Sequence, residues 1–328
     1  MTGFSVDPHE GPMITNRRLE ATTMPEPERT RPRRPHDHLP QFAKSLLMIY
    51  HHPEVMTLGG WSRWAYWKLL ERTGGFPRLI PFSKSMIAAE RGCNVSKLIH
   101  SCGLYDLAPM RLLQSVLKPG DHMLDIGANI GSYSILAAEC VGAEGRVLAM
   151  EPGPTAAARW RRNQQLNNLE MMSLVQAAAV AEPGMVCMTD DDGNAGNRIG
   201  VGSVEVEGRR VDRLLDSLKL TPRIIKIDVE GYEFGVLEGC GERLDADHIS
   251  YIQFEANGLS ETTATPLSDS LDLLKSRGFA IYELSEQLPL VMSPFHGKQP
   301  FSLTGNLFAL SPRGVAELRE LGVMILGN

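Results

Sequence analysis

Hydrophobic and polar positions follow two different rhythms along the chain. From Gln41 to about Leu117 apolar residues cluster at three- and four-residue spacing, as in FAKSLLMIY and WSRWAYWKLLER, a pattern that predicts helices and no persistent strand. Trp61, Trp64 and Trp67 recur every third residue, so they share one helix face and read as the seam of a cap. The rhythm changes after the turn Lys118-Pro119-Gly120-Asp121, because proline and glycine punctuate there. Seven strand-like runs follow: HMLDIG, RVLAMEP, MSLVQAAAV, RIIKIDVEG, ISYIQFEAN, FAIYEL and GNLFALS. Helical stretches from about Ser132, Thr155, Tyr232 and Leu267 separate several of them. Such alternation predicts an α/β fold with a mostly parallel seven-stranded, Rossmann-like sheet and right-handed crossovers. The last two strands are close enough in sequence for an edge hairpin, and residues 183–210 read as a Gly-rich insertion.

One strand breaks the expected pattern. In RIIKIDVEG, Ile225, Ile227 and Val229 fall on one side and Lys226, Asp228 and Glu230 on the other, given the two-residue period of a strand. A central parallel strand is covered on both faces and should be apolar throughout. The next run repeats the anomaly, with Ile252 and Phe254 opposed to Tyr251, Gln253 and Glu255. Three carboxylates against one lysine exceed what a single internal ion pair would explain, because an unpaired buried charge is costly. The carboxyl ends of neighbouring strands are where open α/β sheets bind ligands.

The first strand and its turn suggest the ligand. LDIGANIGSYS ends a strand at Asp125 and continues through Gly127, Ala128, Asn129, Ile130 and Gly131 into a helix. Glycines permit a tight turn and close approach, and the helix N-terminus offers free N–H donors to an anion. Only two of the three glycines of the dinucleotide fingerprint are present. Asp125 would repel a pyrophosphate but attract an ammonium, so the ligand should carry both charges. Glu151, at the tip of the second strand, suits ribose hydroxyls. An amino-acid tail at the turn and a ribose at the second strand together describe S-adenosyl-L-methionine.

Composition narrows the class. With 328 residues and 43% hydrophobic content, one large core plus a smaller part is expected. The divisions read as a disordered tail over 1–40, a helical N-terminal cap over 41–104 and an S-adenosylmethionine-binding domain over 105–328. The tail is rich in proline and arginine and has no apolar core segment, so it reads as neither a signal peptide nor a membrane span. A net charge of −6 argues against a phosphate-neutralising nucleic-acid binder. Five widely spaced cysteines without a CxxC pair predict reduced thiols in a cytoplasmic protein.

The segments GLYDLAPMRLLQSVLKPGDHMLDIGANIGSYS, AMEPGP, NNL, AAAV and IIKIDVEGYEFGVLEGC, with FE at 254–255, resemble the FkbM family of S-adenosylmethionine-dependent methyltransferases over about residues 103–256. The resemblance implies a class I methyltransferase fold and, usually, transfer to a hydroxyl oxygen of a sugar or natural product. It places Asp125, Gly127, Asn129 and Gly131 in the cofactor turn, Glu151 on the ribose and Ala178 against the adenine. Asp106 stands where the family often has Glu, and Tyr232 where it has a small residue.

The chemistry expected is in-line displacement by an acceptor oxygen, with Asp228 as general base. Glu230 and Glu255 would bind acceptor hydroxyls, and Lys226 would keep the carboxylates ionised. The acceptor would be a small molecule or glycan with a free hydroxyl, and the cap offers a homodimer contact. No metal is expected, since Lys226 disfavours one, although Asp228, Glu230 and Glu255 are the oxygen ligands that Mg²⁺ or Ca²⁺ would take. His296 is an alternative base, and Asn194 and Asn197 are candidate acceptor contacts. A catalytically inactive nucleotide-sensing protein and an NAD-dependent oxidoreductase are the competing functions.

Overall fold

A computed structural model describes residues 58–190, 197–200, 202–256, 266–285, 288–297 and 305–327. The expected tail over 1–40, cap residues 41–57 and Asn194 lie outside the described residues.

The elements run α1 (Leu58–Thr73), β1 (Arg78–Phe82), β2 (Ser85–Ala89), α2 (Asn94–Cys102), α3 (Leu107–Val116), β3 (His122–Ile126), α4 (Ser132–Val141), β4 (Arg146–Met150), α5 (Pro154–Leu166), β5 (Met172–Val175) and β6 (Ala178–Ala179). They continue with β7 (Gly184–Met188), β8 (Val204–Arg209), α6 (Val211–Leu218), β9 (Ile224–Ile227), α7 (Glu233–Cys240) and β10 (Tyr251–Glu255). The last are α8 (Leu267–Ser276), β11 (Ala280–Leu284), β12 (Val291–Pro294), β13 (Asn306–Leu310), α9 (Pro312–Glu320) and β14 (Met324–Ile325).

The main sheet has the order β14-β12-β11-β13-β10-β9-β3-β4-β5. Strands β10, β9, β3, β4 and β5 are parallel, and β13 runs antiparallel between β10 and β11. From β5 to β11 this is the strand order of class I methyltransferases, with its one reversed strand. The β3–β9 boundary is where the order changes direction, and the carboxyl ends there form the ligand crevice of an open α/β sheet. The expected edge hairpin is therefore corrected. Strands β11 and β13 do pair, but β13 lies inside the sheet, and β12 and β14 extend the edge to nine strands.

Two apolar layers enclose the sheet. Met123, Ile224, Tyr251 and Phe308 face Leu113, Ile135, Leu136 and Trp160 from α3, α4 and α5. Leu124, Ile225, Ile227, Ile252 and Phe254 face Leu214, Val236, Leu237, Leu271 and Leu274 from α6, α7 and α8. Side chains two apart on a strand thus fall into the same layer, as the pleat requires.

The N-terminal segment is not helical throughout, because β1 and β2 form an antiparallel hairpin. Pro81 lacks a strand donor and its turn, Ser83-Lys84, has no Asn-Gly signal, which hides the hairpin from pattern reading. Asn163 on α5 and Asn167, which caps its C-terminus, accept the N–H groups of Ala88 and Met86 at 2.9 and 2.8 Å, so side chains at the end of α5 satisfy the hairpin's outer edge. Trp67 is buried against Phe76, while Trp61 and Trp64 stack edge to face beside Cys102. The insertion folds with β6 into a separate three-stranded sheet, β6-β8-β7.

Candidate active site

The turn after β3 is held from two sides. The N–H groups of Gly127 and Ala128 both donate to the Met150 carbonyl, at 2.9 and 3.2 Å. On the other side a Cβ at Gly127 would stand 1.8 Å from the Asp228 carbonyl oxygen, and the Asp228 N–H donates to the Ile126 carbonyl at 3.0 Å. With φ at +76°, the position favours glycine on two grounds. Gly131, at φ +86°, packs on Trp160, whose Cδ1 would be 2.7 Å from a Cβ there. Asn129 is left-handed, at φ +49°.

Glu151, buried at the end of β4, joins this turn to the next. Its Oε2 accepts the Asn129 N–H at 2.8 Å and its Oε1 the Gly153 N–H at 2.9 Å. Burial raises its carboxyl to about 7, and the two backbone donors pull against that rise. Around Gly153, Glu151 is joined by Asp190 and Asn197 of the insertion. Ala178 is fully buried in β6.

Asp125, Lys226 and Gln253 stand in one row across β3, β9 and β10, since the register pairs Asp125 with Lys226 and Lys226 with Gln253. Helix α4 covers the row. Its Ser134 hydroxyl donates to Asp125 Oδ2 at 2.5 Å, and the Tyr133 ring centroid lies 4.7 Å from Lys226 Nζ. Burial raises the Asp125 carboxyl, against the pull of Lys226. Burial alone would lower the Lys226 ammonium, but the carboxylates of Asp228 and Asp125 outweigh it and hold it above its usual range. Lys226 Nζ donates to Asp228 Oδ2 at 2.9 Å.

The expected strand stops sooner than the alternation implied. Strand β9 ends at Ile227, and Asp228 and Glu230 belong to a turn into α7 rather than to a strand face. The reversal uses Glu230 at φ +54° and Gly231 at φ +105°; a glutamate in that region is strained, a condition that clusters at functional sites. Glu233, which pattern reading passed over, stabilises this turn by accepting the Gly231 N–H at 3.1 Å. Burial raises its carboxyl to about 7. The detectable signal was an acid at the first position of a helix.

The structure brings Asp228, Glu230 and Glu255 together, with one carboxylate oxygen from each within 4.8 Å of the others. That spacing admits a shared hydroxylated ligand or a single cation. His296 is exposed after β12.

The cofactor fit rests on Asp125, whose Oδ1 is buried without a hydrogen-bond partner among the described residues, a spare acceptor for an ammonium. A profile of the methyltransferase FkbM domain matches residues 125–281. The chain carries an FkbM methyltransferase domain. S-adenosyl-L-methionine is its cofactor.

Two curated relatives align with it. The hexuronic acid methyltransferase AglP of Haloferax volcanii is 24% identical over 155 residues, covering 45% of this chain and 61% of the relative. The ribosomal RNA large subunit methyltransferase E of Sorangium cellulosum is 46% identical over 43 residues, covering 13% of this chain and 20% of the relative. The chain thus spans less than two thirds of either. Among solved structures, Aeropyrum pernix fibrillarin with bound S-adenosyl-L-methionine aligns with a TM-score of 0.36 and 14% identity, covering 62% of this chain and 73% of that one. The Geobacter metallireducens precorrin-6y C5,15-methyltransferase aligns with a TM-score of 0.38 and 16% identity, covering 63% and 89%. Among the described residues no helix is long and apolar enough to cross a membrane.

Proposed function

We propose that this FkbM methyltransferase domain methylates a hydroxyl oxygen of a sugar, glycan precursor or natural product, with Asp228 as general base. The observation that carries the reading is the interlock of the two turns. The Asp228 backbone occupies the space beside Gly127, so the candidate base is built onto the candidate cofactor turn. When bound, the cofactor supplies a methyl group already activated for displacement.

Asp125 would hold the ammonium of the cofactor, Gly127, Ala128, Asn129 and Gly131 its carboxylate end, Glu151 the ribose hydroxyls and Ala178 the adenine. Asp228 would accept the acceptor's hydroxyl proton, because an aliphatic hydroxyl is scarcely ionised at neutral pH. Lys226 Nζ donates to Asp228 Oδ2 at 2.9 Å and so orients the carboxylate toward the acceptor. Glu230 and Glu255 would orient the acceptor through its other hydroxyls, which suits a polyhydroxylated molecule. Similarity to a hexuronic acid methyltransferase supports a carbohydrate. The five free cysteines agree with a reducing, cytoplasmic setting, and exposed Tyr66 and Leu69 on α1 support a homodimer contact there.

Asp228→Asn should lower turnover by about 10²–10⁴-fold while cofactor affinity changes little. Radiolabelled methyl transfer into cell extract measures the first and calorimetry the second; undiminished turnover would remove Asp228 from the mechanism. The clustering of Asp228, Glu230 and Glu255 oxygens favours a second reading, a divalent cation that binds the acceptor. Loss of transfer on EDTA treatment and its return with Mg²⁺ would select that reading.

A further inference from the structure

A closed ring of hydrogen bonds lies beneath the candidate base. Tyr133 donates its hydroxyl proton to Asp106, and Gln253 Nε2 donates to Tyr133 Oη at 3.0 Å and to Asn306 Oδ1 at 3.3 Å. Asn306 Nδ2 returns to Asp106 at 3.3 Å. The four side chains come from the segment before α3, from α4, from β10 and from β13. Asp106, Tyr133 and Gln253 are buried. Apolar residues of similar size would fill this space at lower desolvation cost, and apolar residues do fill the opposite face of β9 and β10, with Ile225, Ile227, Ile252 and Phe254.

The ring fixes the orientation of the Tyr133 plane. Its hydroxyl is bonded on both sides, and Tyr105 packs edge to face on it at 6.1 Å and 83°. Lys226 Nζ lies 4.7 Å from its centroid. An ammonium over a desolvated aromatic face is attracted by the ring quadrupole. Confined by the ring on one side and by Asp125 of the neighbouring strand, the ammonium is directed to Asp228.

We propose that Tyr133, locked by Asp106 and Gln253, is a positioning residue that holds the Lys226 ammonium against Asp228 and so orients the base for methyl transfer. The inference rests on the assignment of Asp228 as base. Charged and titratable groups facing Lys226 and Asp228 are Asp125 from β3, Tyr133 from α4, Tyr105 and Asp106 from the segment before α3, Glu230 and Glu233 from the turn into α7, and Glu255 from β10.

A double-mutant cycle on the full chain tests it. Tyr133→Leu removes the ring face and should lower the rate at saturating cofactor on the order of tenfold, as read by methyl transfer into cell extract. Tyr133→Phe keeps the face but frees it from Asp106 and Gln253, so its rate should fall between those of Tyr133→Leu and the wild type. In a Lys226→Met background, Tyr133→Leu should cost nothing further, because the residue acts through Lys226. Additive losses, or Tyr133→Phe as slow as Tyr133→Leu, would overturn the proposal.

A readout independent of turnover uses ¹⁵N-lysine-labelled protein, with the Lys226 ammonium signal assigned by its loss in Lys226→Met. The signal should persist in Tyr133→Phe and vanish into solvent exchange in folded Tyr133→Leu. Its survival in Tyr133→Leu would refute the positioning role. A wild type that binds S-adenosylmethionine but is unaffected by Asp228→Asn would instead refute the assignment of the base.

Discussion

At Glu151 one carboxylate serves two backbone donors and, in the proposed site, would serve the ribose as well, and its charge state decides how well. Ribose hydroxyls donate to the ionised form, so binding competes with a proton that burial has made easier to add, up to about 7. Cofactor affinity should therefore fall as pH drops from 8 to 6, on the order of tenfold, with proton release on binding at pH 6. Calorimetry in buffers of different ionisation enthalpy measures both, and Glu151→Gln should flatten the dependence. Gly127 is a second residue-scale test. An alanine there meets the Asp228 carbonyl and takes a strained φ, so Gly127→Ala should cost roughly 2–4 kcal/mol in urea unfolding. Both positions were legible beforehand, because a glycine turn and an acid at a strand tip are local signals. The Tyr133 and Asp106 network was not, since its partners stand 27, 120 and 200 residues apart in the sequence.

Elements are tied at the opposite end of the sheet by Arg223, just before β9. Its guanidinium bonds Asp121 at 2.6 Å, Glu317 of α9 at 2.7 Å and the Val116 carbonyl at the end of α3, and Tyr251 donates to Glu317 at 2.7 Å. Arg223→Ala leaves two carboxylates facing each other in a half-buried site, so a loss of about 2–4 kcal/mol is expected. Thermal unfolding measures it, and cofactor affinity should stay close to that of the wild type because the site is at the other end of the strands. Six of the seven expected strands were readable from alternation and apolar runs, whereas the run MSLVQAAAV divides into β5 of the main sheet and β6 of the three-stranded one. The β1–β2 hairpin escaped because side chains at the end of α5, rather than a turn signature, complete its edge. Strand β9 read too long because alternation continues through Asp228 and Glu230 after the backbone has left the sheet.

Across the whole described molecule, the buried acids Asp125, Glu151 and Glu233 convert burial into pH dependence. Glu151 and Glu233 are both raised to about 7, above their unfolded value, so the neutral form is favoured in the fold. Their contribution to stability is complete below about 4.5 and is lost as pH rises through about 7. The apoprotein should lose melting temperature between pH 5 and 8, and the Glu151→Gln, Glu233→Gln double variant should lose less. Saturating cofactor should restore more at pH 8 than at pH 6, because a ribose held by Glu151, as proposed, would stabilise its ionised form. Sequence alone determined the alternating α/β plan, the glycine turn and the presence of charged side chains in strands that should be apolar, because strand period, turn chemistry and charge are local properties. Only tertiary structure decided that the Gly127 turn and Asp228 occupy adjoining space, that β13 enters the sheet between β10 and β11, and that Lys226 is held between an aromatic face and two acids. Those facts depend on which distant segments pack together, and chain packing is not encoded in any one window of residues.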